Sequence, residues 1–137
     1  MNSIEKAESI ATKAHAGQKR ACGEDYINHP RRVAESVAHL GESYQAVAWL
    51  HDVVEDTEIE LDDLRDAGFS EAVVLGVDAL TRRDGQSYMD FIEHSSRTPL
   101  SKAVKVADIK DNLRNVEQYK PNLKTRYVQA LGYLNTP

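Results

Sequence analysis

An apolar segment that ends in four ionisable side chains constrains the fold of this chain more than any other feature. Residues 46–50 read Ala-Val-Ala-Trp-Leu, a run without a polar side chain, which indicates a buried helix. His51-Asp52 and Glu55-Asp56 follow directly. A continuous helix would bring both pairs to one end and one side of its surface. Buried carboxylates need pairing, hydrogen bonds or a cation, so other segments must supply partners for them.

Helix start and stop signals recur along the chain. Almost no segment shows the alternation of apolar and polar residues that a half-buried strand would have. Asn2 with Glu5 resembles a capping box that opens a helix running toward Gly17. Pro30 suits the first turn of a second helix, which is expected to stop at Gly41. Both segments therefore predict helices near the start of the chain.

The remaining segments also favour helices. Ser43 is expected to cap the helix that bears His51 and Asp52. Further helices are expected at about residues 61–67, 71–80, 86–94, 100–116 and 121–134. The loops between them are too short to divide domains. The sequence predicts an all-α helical bundle that forms a single domain over residues 1–137.

Charge and composition limit the partners of the chain. Its 17 Lys and Arg against 22 Asp and Glu give a net charge of −5, which argues against sequence-independent binding to DNA or RNA. A small anionic ligand remains open if positive charge is local. No apolar run approaches a membrane span, and residues 1–8 lack a signal-peptide layout, so a cytoplasmic protein without membrane contact is expected. Cys22 is the only cysteine, which excludes an internal disulfide.

Two further residues are candidates for a metal site beside His51 and Asp52. His29 precedes Pro30 at the mouth of a predicted helix, where a capping or surface role is the alternative. Asp108 lies in an apolar stretch, where it could instead pair with Arg or Lys. Two histidines and two carboxylates would bind a divalent ion of the Mn, Fe, Co or Zn group and leave positions for water and substrate oxygen.

Four sequence blocks occur in a recognisable order. They are His-Ala-Gly-Gln-Lys-Arg at 15–20, Tyr-Ile-Asn-His-Pro at 26–30, Leu-His-Asp-Val-Val-Glu-Asp-Thr at 50–57 and Lys-Val-Ala-Asp-Ile-Lys-Asp-Asn-Leu-Arg at 105–114. Together they resemble the HD-domain phosphohydrolase superfamily, and within it the hydrolase domain of RelA/SpoT-type alarmone enzymes and small alarmone hydrolases. The resemblance extends over about residues 11–114 and implies an HD-type helical bundle.

The resemblance also implies roles for individual residues. It assigns a divalent metal ion, usually manganese with Fe, Co, Zn or Mg as alternatives, to His29, His51, Asp52 and Asp108. It assigns the positioning or deprotonation of the attacking water to Glu55 and Asp56, and substrate contacts to Arg20 and Asn112. A metal lowers the pKa of bound water, and a neighbouring acid takes the proton, so the two groups of residues supply different steps.

Four residues are candidates for substrate binding. Arg20 offers a planar donor fork suited to phosphate, and Lys19 beside it adds positive potential, although basic loop residues are usually solvated. Asn112 shares a helix face with Asp108, where a polar contact between helices is the alternative. Tyr88 could stack on a base or bond a phosphate, or it could be half-buried packing.

The function that the resemblance implies is removal of the 3′-pyrophosphate from guanosine tetra- or pentaphosphate (ppGpp). Ala21 stands where the alarmone hydrolases commonly carry a basic residue, and the loop up to Tyr26 is short. Glu24 and Asp25 also bring negative charge near the expected phosphate side. These departures weaken the assignment of the substrate more than they weaken the assignment of phosphohydrolysis.

Two alternatives remain open from the sequence. One is a phosphomonoesterase or pyrophosphohydrolase for another nucleotide, and the other is a non-catalytic nucleotide-binding regulatory module. The intact Glu55-Asp56 pair disfavours the regulatory module, because a binding protein needs metal ligands but no proton-handling pair. The oligomeric state is left open.

Overall fold

Helices account for the regular structure of residues 2–135, which are the residues that the computed structural model describes. They are α1 (Ser3–Ala14), α2 (Asn28–Ser36), α3 (Glu42–Leu50), α4 (Val53–Asp56), α5 (Leu61–Asp66), α6 (Glu71–Ala79), α7 (Tyr88–Ser95), α8 (Pro99–Asn112), α9 (Val116–Tyr119) and α10 (Lys124–Leu134). Short 3₁₀ helices cover Ala38–Leu40 and Pro121–Leu123, and one isolated β-bridge joins Lys19 and Asp25. The all-α prediction is confirmed. Met1, Thr136 and Pro137, which the predicted domain includes, lie outside the described residues.

Helix α3 forms the centre of the bundle. It packs against α1, α2, α6 and α8, and residues 46–50 are all buried, as the apolar run predicts. Gly76 lets α6 approach α3 closely, since a Cβ built there would lie 3.1 Å from Cγ2 of Val47. Burial on every side fixes the position of the last turn of α3, from which the functional residues follow.

A second apolar cluster lies between α7, α8 and α10. Its buried members are Ile92, Ile109, Ala130 and Leu134. Helix α8 therefore contacts the central α3 on one side and α10 on the other. No helix of residues 2–135 has both the length and the apolar content to cross a bilayer.

The first two helices start much as the sequence predicts. The side chain of Asn2 accepts a hydrogen bond of 2.8 Å from the backbone N–H of Glu5, which confirms the expected N-cap. Helix α2 begins at Asn28, so Pro30 lies within its first turn. The α-helical part ends at Ser36, and the 3₁₀ turn continues the chain to Gly41.

The prediction that Ser43 caps α3 is wrong. The helix begins at Glu42, and Gly41 occupies the N-cap position with φ of +125°, a conformation that favours glycine. Glu42 lies in the first turn, where a negative side chain complements the helix dipole, and its carboxylate accepts a bond from the backbone N–H of Ser3. Ser43 therefore lies inside the helix.

Three later helices differ from their predicted bounds. Helix α7 starts at Tyr88, because the hydroxyl of Ser87 accepts a bond from the backbone N–H of Asp90. Helix α8 starts at Pro99 with Thr98 as its N-cap and ends at Asn112, before a separate turn that forms α9. The last segment divides into a 3₁₀ turn and α10.

Candidate active site

The chain turns between α3 and α4 at His51 and Asp52. His51 keeps helical torsion angles, but Asp52 has φ of −108° and ψ of 0°, which interrupts the helix for one residue. The expectation of one continuous helix through residues 51–56 is therefore wrong. Helix α3 before the turn packs against four other helices, whereas Glu55 and Asp56 of α4 after it line a cavity.

Three buried side chains, each from a different part of the chain, converge beside this turn. His29 lies in the first turn of α2, His51 follows α3, and Asp108 lies in the third turn of α8. One nitrogen or oxygen of each lies within 4.8 Å of the others. All three residues are buried, so the structure brings together three of the four metal ligands that the sequence suggested.

The imidazole of each histidine is oriented by its Nδ1 atom. Nδ1 of His51 donates to the carbonyl oxygen of Ala48 at 2.6 Å, and Nδ1 of His29 lies 2.6 Å from Oδ2 of Asp111. Only a protonated ring nitrogen can donate to these oxygens, so Nδ1 carries a proton in both rings and Nε2 is the ring atom that faces the cluster. A hydrogen bond of this kind fixes both the tautomer and the ring plane of a metal-binding histidine.

The carboxylate of Asp108 divides its two oxygens between different partners. Oδ1 lies 2.8 Å from Nε2 of His29 and 3.3 Å from Nε2 of His51. Oδ2 accepts a bond of 2.9 Å from Nζ of Lys105. Burial opposes the ionisation of Asp108, but the charge of Lys105 and the proximity of His51 hold the pKa of this carboxyl well below its usual value.

Asp52 lies next to this cluster but outside the group of three. Its Oδ2 is 3.1 Å from Nε2 of His51 and accepts a hydrogen bond from the hydroxyl of Tyr26. Burial and the charge of Asp52 raise the pKa of Tyr26, so this hydroxyl stays protonated as a donor. Tyr26 thus holds Asp52 at the edge of the site.

The cluster has the properties expected of a cation site. Nε2 of His51 is buried without a hydrogen-bond partner among the described residues, which is costly unless another group occupies the position. Burial would lower the pKa of His51, yet the charges of Asp52 and Asp108 raise it well above the ordinary value. The carboxylates therefore favour positive charge between the rings, which a divalent ion would supply, and the nitrogen and oxygen donors of the cluster suit Mn, Fe, Co or Zn.

Glu55 and Asp56 project from α4 into the same cavity and remain exposed to it. Oε1 of Glu55 accepts a 2.7 Å bond from the backbone N–H of Arg82. Loss of solvent on the protein side raises the pKa of both carboxyls, and the negative charge of Asp52 adds to the effect. The two groups are thus poised to accept a proton more readily than ordinary surface carboxylates.

A cavity of about 460 Å³ opens above the cluster, within the size range of small-molecule sites. The carboxylates that line it are Asp52, Glu55, Asp56, Asp108 and Asp111. The lysines and arginines that line it are Lys19, Arg20, Arg82, Lys105, Arg114, Lys120 and Arg126. Positive charge is therefore concentrated on this wall of an otherwise acidic protein, as an anionic ligand requires.

The predicted substrate residues all line this cavity, but their environments differ. Arg20 donates to Oδ1 of Asn112 at 2.8 Å and to Asp111 at 3.1 Å, so its guanidinium is held at the C-terminal end of α8. Lys19 is exposed and pairs with Asp25. The negative charge noted at residues 24–25 is thus engaged by cations of the chain itself.

Tyr88 lies between two guanidinium groups. The guanidinium carbons of Arg126 and Arg82 are 4.6 Å and 5.9 Å from its ring centroid. The ring also approaches Tyr127, with centroids 6.5 Å apart. The hydroxyl of Tyr88 is buried without a hydrogen-bond partner among residues 2–135, and the cavity lining includes Tyr88, Arg82, Arg126 and Tyr127. Arg82 and Arg126 thus form a second group of cations, beside the aromatic ring of Tyr88 and apart from Lys19 and Arg20.

A sequence model of the HD domain family matches residues 7–111, which span α1 to the end of α8 and include every residue of the buried cluster. The chain belongs to the HD domain family. The family resemblance inferred from the four sequence blocks is therefore confirmed.

This HD domain is similar to parts of several longer curated proteins. It is 34% identical to "GTP pyrophosphokinase" of Streptomyces coelicolor over 88% of the chain and 15% of that protein. It is 36% identical to "Guanosine-3′,5′-bis(diphosphate) 3′-pyrophosphohydrolase" of Haemophilus influenzae over 85% of the chain and 19% of that protein. The chain thus spans about one fifth or less of the length of these relatives.

A solved structure shares the fold of this HD domain. It is that of a metazoan ortholog of SpoT, described as hydrolysing ppGpp, with a TM-score of 0.83 at 22% sequence identity. The match covers 98% of this chain and 86% of the other. At this identity the likeness supports the HD-type bundle.

Sequence reasoning missed the residues that hold the cluster from outside. Arg32 follows His29 by three residues on α2, and Asp111 follows Asp108 by three residues on α8. Because α2 and α8 pack together, Arg32 meets Asp111 one helical turn beyond the contact of His29 with Asp108. Nε and Nη2 of Arg32 donate to Asp111 at 2.7 and 3.0 Å. The signal that could have found them is this shared spacing of three, which places each charged residue one turn beyond a candidate ligand.

Asp111 is expected to be the main stabilising carboxylate of this HD domain. It is buried and accepts bonds from His29, Arg20 and Arg32, so Asp111→Ala removes an acceptor that three side chains share. We expect a loss of about 2–4 kcal/mol in the free energy of unfolding, slightly less than for a fully buried pair. Urea denaturation measures it, with Asp84→Ala in an exposed loop as the control. A loss as small as that of the control would contradict a structural role for the network.

Proposed function

We propose that this HD domain is a metal-dependent phosphohydrolase that removes the 3′-pyrophosphate of ppGpp or its pentaphosphate. The observation that carries the proposal is the buried cluster of His29, His51 and Asp108, of which His29 and Asp108 line a cavity rich in lysine and arginine. Relatives named as 3′-pyrophosphohydrolases of guanosine bis(diphosphate) support the substrate class.

The metal site is proposed to consist of His29, His51, Asp52 and Asp108, with Mn²⁺ as the preferred ion and Fe²⁺, Co²⁺, Zn²⁺ or Mg²⁺ as alternatives. Asp52 is included because its carboxylate touches the ring of His51 at the cavity side. When bound, the ion would acidify water and neutralise charge on a phosphoryl oxygen. The four protein donors leave room for both.

Glu55 and Asp56 are proposed to orient the attacking water and to accept its proton. Both carboxylates line the cavity one turn beyond His51 and Asp52, and their raised pKa values favour proton acceptance. The hydrogen bond from the backbone N–H of Arg82 fixes one oxygen of Glu55. A proton taken from water would thus pass to a carboxylate that is already held in place.

The phosphate groups are proposed to bind two sets of cations. Arg20, oriented by Asn112 and neighboured by Lys19, forms one set near the end of α8. Arg82 and Arg126 form the other set around Tyr88, whose ring offers a surface for a base or sugar. Two sets of cations suit a nucleotide that carries phosphates at both its 5′ and 3′ positions.

We further propose that residues 1–137 act as one domain in the cytoplasm. The packing of four helices around α3 supports one folding unit, and the free thiol of Cys22 is compatible with a reducing compartment.

A panel of nucleotides tests the proposed substrate. The kcat/KM of the Mn²⁺-loaded protein is measured for ppGpp, guanosine 5′-diphosphate, guanosine 5′-triphosphate and adenosine 5′-triphosphate, with released phosphate and pyrophosphate quantified separately. We expect the highest value for ppGpp, with pyrophosphate as the product. A higher kcat/KM for an ordinary nucleotide would show that ppGpp is not the preferred substrate. Binding of ppGpp without any turnover would indicate a regulatory module.

Arg20→Ala is expected to weaken substrate binding. Loss of a charged donor from the cavity wall should raise the KM for ppGpp by about tenfold or more, because hydrogen bonds between charged groups contribute about 1.5–3 kcal/mol. The matched control is Arg31→Ala, which removes an exposed arginine from α2 that does not line the cavity. Steady-state kinetics measures both variants. An unchanged KM in Arg20→Ala would remove Arg20 from the substrate site.

A further inference from the structure

Lys105 is a buried cation whose role the sequence does not reveal. It lies one helical turn before Asp108 on α8, and its side chain is 11% exposed. Nζ donates to Oδ2 of Asp108 at 2.9 Å and lies 4.5 Å from the centroid of the Phe91 ring. Its ammonium therefore contacts both an aromatic ring and a proposed metal ligand. Lys105 also lines the cavity.

An ammonium group at this position is costly without a specific partner. Moving a charge from water into a buried site is unfavourable, and an apolar side chain of the same length would fill the space without that penalty. The aromatic face of Phe91 offsets part of the cost. Among residues 2–135, the hydrogen-bond acceptor of the ammonium is Oδ2 of Asp108.

That contact determines which oxygen of Asp108 faces the histidines. With Oδ2 held by Lys105, Oδ1 is directed at the Nε2 atoms of His29 and His51, at 2.8 and 3.3 Å. Asn112 adds a longer bond of 3.3 Å to Oδ1 from the next turn of α8. Lys105 thus holds the oxygen of Asp108 that does not contact the histidines.

We propose that Lys105 is a positioning residue for metal binding, which holds Asp108 so that it offers one oxygen to the ion. The inference rests on the proposed function, because it takes the same cluster as the metal site. Partners that orient metal-binding carboxylates commonly change metal affinity by 10- to 100-fold when they are removed. Lys105 acts through Asp108 and is not itself a ligand.

Mn²⁺ titration of the chelator-treated full chain by calorimetry tests the inference, with the Mn²⁺-induced rise in Tm as a second readout. Lys105→Met keeps the length of the side chain and removes its charge and donors. Lys110→Met on the exposed side of the same helix is the matched control. We expect Lys105→Met to weaken Mn²⁺ binding by about 10- to 100-fold and to reduce the rise in Tm, while Lys110→Met binds as the wild type does.

The outcomes separate the inference from the proposed function. If the wild type binds Mn²⁺ and Lys105→Met binds it equally well, the positioning role is overturned while the metal site stands. If the wild type binds no divalent ion, the proposed function is overturned and this inference with it. Lys105→Arg keeps a charged donor and should bind Mn²⁺ more tightly than Lys105→Met. If Lys105→Met does not fold, Lys105→Arg tests the positioning role in its place. A Lys105→Arg variant that folds but has lost Mn²⁺ binding overturns the inference.

Discussion

Glu55→Gln and Asp56→Asn are each expected to slow the hydrolysis of ppGpp by about 10²- to 10⁴-fold, the usual contribution of a general acid or base. Each change keeps the size of the side chain and removes the carboxylate that would accept a proton. Both side chains lie at the cavity rather than in the buried cluster, so Mn²⁺ affinity should be nearly unchanged. Single-turnover kinetics and calorimetry on the same samples measure the two effects separately.

Glu58→Gln provides the control for these variants. Glu58 follows α4 directly, is exposed and does not line the cavity, so its replacement should leave turnover unchanged. Full activity in both Glu55→Gln and Asp56→Asn would mean that another base acts. Loss of Mn²⁺ binding in either variant would instead place that carboxylate among the ligands.

His51→Ala is expected to have the largest effect on metal binding. His51 is 1% exposed, and its Nε2 lies near both Asp52 and Asp108, so its removal takes away a nitrogen donor and leaves two carboxylates facing each other. We expect undetectable Mn²⁺ uptake by elemental analysis and loss of turnover. The Mn²⁺-induced rise in Tm should also disappear, because an ion that binds only the folded protein stabilises it.

His39→Ala tests whether any histidine would have the same effect. His39 is exposed on the 3₁₀ turn after α2 and should leave Mn²⁺ uptake unchanged. Circular dichroism of His51→Ala checks that its helices are retained. Equal metal content in the wild type and in folded His51→Ala would show that the site is wrongly placed.

The helical content and the central helix could be predicted from the sequence because they depend on local patterns. Residues 46–50 form an uninterrupted apolar run, and such a run can only be buried on all sides. The N-cap at Asn2 likewise depends on residues three apart. These features require no knowledge of distant contacts.

The turn at Asp52 could not be predicted in the same way. His51 has helical torsion angles and only Asp52 departs from them, so neither residue type signals an interruption as glycine or proline would. Sequence spacing therefore predicted a continuous helix where the structure has a turn, although Asp52, Glu55 and Asp56 all line the cavity.

The outer partners of the site depend on the pairing of α2 with α8. Asp111 bonds His29 and Arg32 across 82 and 79 residues of sequence, and no local pattern specifies that those helices touch. Lys105 lies in one of the four sequence blocks, but its burial beside Phe91 follows only from the packing of α7 on α8, so the sequence does not indicate its role. Long-range packing thus decides which charged residues hold the candidate ligands.

The most direct test of the account is the identity of the products formed from ppGpp. Chelator-treated protein is incubated with ppGpp, with and without Mn²⁺, and the products are followed by phosphorus NMR. The account predicts guanosine 5′-diphosphate and pyrophosphate in equal amounts, formed only when Mn²⁺ is present. Release of orthophosphate alone, or intact ppGpp after incubation with protein that has bound Mn²⁺, would contradict it.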